Sequence, residues 1–76
     1  MATLNVRLLV GRNLRRLRAA ARLTQEALSE KTGISVVYIS GIERGQRNPS
    51  VVVMFELAQA LGADVRDLLD PVSCRL

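Results

Sequence analysis

Leu8, Leu9, Val10, Leu14 and Leu17 recur at helical spacing among Arg7, Arg12, Arg15, Arg16 and Arg18. This alternation predicts an amphipathic first helix, apolar on one side and basic on the other, from about residue 6 to residue 20 or 21. The next stretch, "LTQEALSEKTG", carries the marks of a two-turn helix. Thr24 is an N-cap type, Glu26 suits the positive end of the helix dipole, Lys31 suits the negative end, and Gly33 supplies a left-handed stop. A third segment starts at Ser35 and stops at Gly45. A fourth follows "NPS", where Pro49 breaks the preceding structure, Ser50 caps, and "VVVMFELAQALG" runs to Gly62. A short fifth helix, "DVRDLLD", is expected between a cap at Asp64 and Pro71, and the tail "VSCRL" is expected to fray.

The third segment is ambiguous by composition. Ile34, Val36, Val37, Tyr38 and Ile39 are β-branched or aromatic and favour a strand. A lone strand has no partner among helices, and even a two-stranded sheet is marginal, so context outweighs propensity. Residues 35 to 43 or 44 are therefore read as a helix, and the fold class as all-α. At about 100° per residue, Ile39, Ile42 and Glu43 share the inward side. Val37, Ser40, Gly41 and Arg44 fall on the outward side. In the fourth helix, Val51, Met54, Leu57, Ala58 and Leu61 form an inward stripe. Val52, Val53 and Phe55 are left over, and apolar residues facing outward imply a partner.

Composition sharpens this picture. The chain has 76 residues, 49% hydrophobic and 3% aromatic, so a single domain spanning 1–76 must build its core from Leu, Val, Ile and Ala, as helix-on-helix packing does. A domain of this size buries only about 60% of its unfolded surface, which again favours a partner subunit. The net charge of +4 is unevenly spread: residues 1–47 hold nine basic and three acidic residues, residues 48–76 two and four. This asymmetry points to a polyanion on one side, nucleic acid before an anionic membrane. With no histidine and with Cys74 as the lone cysteine, the usual general base, disulfide framework and cysteine-rich zinc site are all missing. The longest apolar run, residues 51–55, is far too short to span a bilayer. The expectation is a non-enzymatic protein of the reducing cytoplasm, with no cofactor, no metal and no small-molecule ligand.

Helix, "TGIS" turn, helix is the helix-turn-helix pattern, here over about residues 24–44, in which the second helix enters the DNA major groove. The stretch "LTQEALSEKTGISVVYISGIERGQRNPS" resembles the helix-turn-helix of the Cro/C1-type (XRE) repressor family. "LTQ", Leu28, "TGIS", "YIS", "IERG" and "RNPS" carry the match, and "LAQALG" continues it into the fourth helix. The resemblance covers about residues 9–70. It implies a compact five-helix, lambda-repressor-like DNA-binding domain whose partner is double-stranded DNA. It also implies residue roles. Thr24 and Gln25 open the second helix, where free N–H groups and a polar side chain hold a phosphate. Ser35, Val36, Val37 and Tyr38 form the turn that reaches deepest into the groove, with Ser40 and Gly41 behind them. Arg44, Gln46, Arg47 and Asn48 follow the phosphate backbone. Arg12, Arg15, Arg16 and Arg22 add attraction at longer range. Arg18 pairs with Glu43 as a structural ion pair.

The family's reading positions often hold Gln, Arg or Asn; this chain has two valines and a glycine there. Val36 and Val37 cannot hydrogen-bond a base edge but can pack on thymine methyl groups. The resemblance further implies a homodimer on a near-palindromic operator, built on Val52, Val53, Phe55, the fifth-helix region and the carboxyl-terminal tail. In stand-alone size and motif the chain resembles phage repressors, antitoxins and restriction–modification controllers. An alternative use of the same scaffold is a protein–protein module, such as an antitoxin whose main partner is a toxin.

Overall fold

The side chains at the helix starts set the boundaries seen in the computed structural model, which describes residues 5–71. Helix α1 spans Val6–Ala20, α2 Gln25–Thr32, α3 Val36–Glu43 and α4 Val51–Ala60; a 3-10 helix, Val65–Leu69, is the last element among the described residues. Asn5 Oδ1 accepts from the Leu8 amide, Thr24 Oγ1 from Ala27, Ser35 Oγ from Tyr38 and Ser50 Oγ from Val53, all within 3.0–3.2 Å. Each bond satisfies one amide that the first helical turn leaves without a partner. The β-branched stretch is helical, as its flanking cap and stop require, and no strand occurs among the described residues. The tail expected to fray, and Cys74 within it, lie outside those residues.

The helix ends reuse one device. After α3, the Gly45 amide donates to Ile42 O and the Gln46 amide to Gly41 O, the paired reverse bonds of a Schellman motif, with Gly45 at φ +75°. The same pair closes α1, where the amide of Arg22 reaches Ala19 O and that of Leu23 reaches Arg18 O. There the left-handed position is held by an arginine, at φ +59°. A side chain with a Cβ is strained in that region.

Val10, Leu14, Leu28, Ile39, Ile42, Met54, Leu57, Ala58 and Leu68 form one buried core. Two features bind α1 to it. Gly11 lies so close to the end of α3 that an added methyl group would fall on the carbonyl oxygens of Ile42 and Glu43. Asn13 is buried and donates from Nδ2 to Leu68 O at 2.9 Å and to Asp70 O at 3.1 Å, which ties α1 to the 3-10 helix.

The fifth helix starts at the expected Asp64 cap and is of the 3-10 type: five residues between Asp64 and Asp70 leave little room for an i→i+4 ladder. It is held instead by the reciprocal box of Asp64 and Asp67 at its start. The amide and guanidinium of Arg66 also hold the Asp64 carboxyl below its usual range. In α4, Val53 packs against the core and Val51 faces solvent, the reverse of the predicted stripe. On the wheel Val51 lies roughly 60° and Val53 roughly 100° from the centre of that stripe, so angular position alone favours Val51. Val53 lies within reach of the core, whereas Val51 opens the helix. Among the described residues, no helix is long and apolar enough to cross a membrane.

Candidate nucleic-acid interface

Residues 24–44 place α2 and α3 around a turn locked by one hydroxyl. Thr32 Oγ1 donates back to Leu28 O at 2.9 Å and accepts from the Ile34 amide at 3.1 Å. Gly33, at φ +77°, makes the reversal, and Ile34 tucks against the core. Ser35 then starts α3 with Ile39 and Ile42 fully buried. Val37 stands 69% exposed on the opposite side, flanked by half-buried Val36, Tyr38 and Ser40. Gly41, expected on this outward face, is buried, because the stem of Arg47 lies across it. A Cβ at Gly41 would sit 2.6 Å from Arg47 Cγ.

Under this face lies a polar clamp. Arg18 Nε and Nη2 donate to Glu43 Oε2 and Oε1 at 2.7 and 3.0 Å, a two-pronged pair that leaves the side chains only 17% and 5% exposed. The third arm, Nη1, donates to Leu23 O at 2.8 Å. The hydrogen bond to Glu43 raises the Arg18 pKa further above its already high value, against the opposing effect of desolvation. Gln25 Nε2 donates to Glu43 Oε1 at 3.1 Å, so the carboxylate joins the starts of α2 and the end of α3 to α1. Thr24 is exposed beside it, its oxygen spent on the cap. Arg44, Gln46, Arg47 and Asn48 are all exposed after α3. Among the described residues, no carboxylate pairs with Arg44 or Arg47. The Arg47 guanidinium carbon sits 5.8 Å from the centre of the Tyr38 ring, within cation–π range.

Residues 14–68 match the sequence profile of a family described as helix-turn-helix. The chain belongs to the XRE-type helix-turn-helix family. It is 47% identical over 68 residues to an uncharacterised HTH-type transcriptional regulator, y4dJ, of Sinorhizobium fredii, across 90% of this chain and 88% of that protein. Control protein C.BamHI of Bacillus amyloliquefaciens is 41% identical over 69 residues, across 90% of this chain and 85% of its own length. The crystal structure of the restriction–modification controller protein C.AhdI from Aeromonas hydrophila aligns with a TM-score of 0.78 at 44% identity, over 82% of this chain and 94% of that one. This member of the XRE-type family is accordingly a helix-turn-helix transcriptional regulator, and its relatives are regulators rather than enzymes.

Within this XRE-type domain, Val52 and Phe55 stand 68% and 51% exposed on one side of α4, with Val51 beside them. Leu69, on the 3-10 helix packed against α4, is also exposed. Sequence reasoning did not find the Gln25–Glu43 bond, which joins residues 18 apart and leaves no local trace. It also missed Asn13, an amide that looks like one more polar residue of a basic helix face. Gly11 did carry a signal: an isolated glycine inside a helical pattern often marks close packing.

Proposed function

We propose that this regulator binds double-stranded DNA sequence-specifically as a homodimer on a near-palindromic operator. The observation that carries the reading is the α3 face. It projects Val37 into solvent from a clamp of Arg18, Glu43 and Gln25, and exposed Arg44 and Arg47, which pair with no carboxylate among the described residues, follow it. A rigid helix with an exposed start suits the major groove, and exposed arginines suit the phosphates beside it. One Nε2 proton of Gln25 is committed to Glu43, which orients the amide and leaves its second proton for a phosphate oxygen. Thr24 stands at the same helix start, whose free amides favour an anion.

The dimer is supported by Val51, Val52 and Phe55, apolar surface at helical spacing that the chain's own core leaves uncovered. Val53, packed inward, contributes to the core rather than to that surface. Among regulator types, the controller class is favoured, because the similarity to two control proteins extends over most of their lengths. Sedimentation at micromolar concentration tests the assembly. The wild type is expected to run as a dimer and Phe55→Glu as a folded monomer with weakened operator binding. A monomeric wild type that binds its operator undiminished would reject it.

A further inference from the structure

The recognition helix poses a problem for its own function. Around exposed Val37 its outward face offers half-buried Val36, Tyr38 and Ser40: the valines form no hydrogen bonds to bases, and Tyr38 and Ser40 bring one hydroxyl each, so none presents a two-pronged donor. Arg47 lies against this helix, by a route visible in the backbone. The Schellman turn at Gly45 folds the chain back over the end of α3, with the Gln46 amide on Gly41 O at 2.8 Å. The next residue, Arg47, therefore lies over Gly41. Its Cγ, Nε and Cδ come within 2.6, 3.2 and 3.4 Å of where a Cβ on Gly41 would stand. The arginine stem thus occupies the space through which a side chain at position 41 would leave the helix. Gly41 lies one turn beyond exposed Val37 on the same side of α3. Tyr38, three residues before Gly41, holds the guanidinium at 5.8 Å from its ring. No carboxylate among the described residues neutralises it.

We propose that Arg47, a loop residue, is a base reader of the recognition helix. Gly41 is the notch that admits it, and Tyr38 is the plate that orients it. The ligand is a guanine edge in the major groove, whose O6 and N7 accept the two parallel N–H groups of a guanidinium. Gly41 and Tyr38 act through Arg47 and are positioning residues. The inference rests on the DNA-binding reading and assigns a specificity role within it, where a loop arginine would otherwise only hold phosphate.

Selection of bound duplexes from a random pool, run in parallel on wild type, Arg47→Ala and Gly41→Ala, tests the assignment. The wild type is expected to require a guanine at one step of each half-site. Arg47→Ala should lose about 10-fold or more of that preference, the discrimination of one bidentate arginine–guanine pair, while the other steps stay selected. Gly41→Ala keeps the arginine but blocks its notch, and the clash is with a flexible stem that can move aside. It should relax the same step and also abolish the ring-current shift of the Arg47 protons against Tyr38. An Arg47→Ala variant that weakens all sequences equally, with a salt slope lower by about one, would make Arg47 a phosphate contact and overturn the proposal. A Gly41→Ala variant with unchanged preference would overturn the notch. If the wild type enriches no sequence, the DNA-binding reading fails and takes this inference with it. If it enriches sites that Arg47→Ala reads identically, only this inference falls.

Discussion

Replacing Arg18 with alanine removes the guanidinium that holds Glu43. The Glu43 carboxylate is 5% exposed and accepts two charge-assisted bonds from Arg18, at 2.7 and 3.0 Å. After truncation it keeps the neutral Gln25 amide at 3.1 Å, and Leu23 O loses its partner at 2.8 Å. Breaking a buried pair from one side costs about 3–5 kcal/mol, because the surviving charge stays desolvated. Gln25 and the partly open Arg18 side place this case near the lower end, about 3 kcal/mol. A domain of this length is stable by roughly 4–11 kcal/mol, so the loss is a large fraction of the total. It corresponds to a fall in Tm of about 12–24 °C. Helical circular dichroism followed through thermal unfolding at neutral pH measures it. The double substitution Arg18→Met, Glu43→Met leaves no lone charge and should recover most of the loss. An Arg18→Ala melt within about 3 °C of wild type, or a double variant no better than the single, would show that no desolvated lone charge is left on Glu43.

Gly11→Ala should destabilise by about 1–3 kcal/mol even though alanine is the better helix former, because the new methyl meets backbone carbonyls that cannot swing away; urea unfolding reads the difference. Arg22→Gly should stabilise by about 0.5 kcal/mol, since relief of the left-handed strain outweighs the extra freedom of the unfolded chain. It should appear as a higher urea midpoint at unchanged slope. Asn13→Ala should cost about 2 kcal/mol for one buried and one part-buried hydrogen bond. Faster amide exchange confined to the 3-10 helix and its contact with α1 would accompany it.

The helix boundaries were legible because they rest on local chemistry. Thr24, Ser35 and Ser50 cap the next amides, and glycines take the left-handed exits. The end of α1 shows the limit of that rule, since Arg22 makes the same turn without glycine. Face assignments were legible where a residue sat near the middle of a stripe, as Ile39 and Ile42 do. Val51 and Val53 sit at its edges, where burial depends on what another element places opposite. Gly41 is buried by a side chain six positions later, through a turn whose course the helical wheel does not contain. Asn13 is likewise explained only once the carbonyls of Leu68 and Asp70 are in place. The helix-turn-helix was readable as a motif, while the contacts that shape it join distant parts of the chain.

Whether α3 of a dimer reads DNA is decided by the duplexes that this chain selects from a random pool at physiological salt. They are expected to hold two inverted half-sites centred about one helical turn, roughly 10 base pairs, apart. Thymines should stand at the steps facing Val37, and affinity should fall steeply between about 50 and 200 mM salt. A pool that stays random through successive rounds, or enriched sites without inverted symmetry, would contradict DNA reading by a dimer.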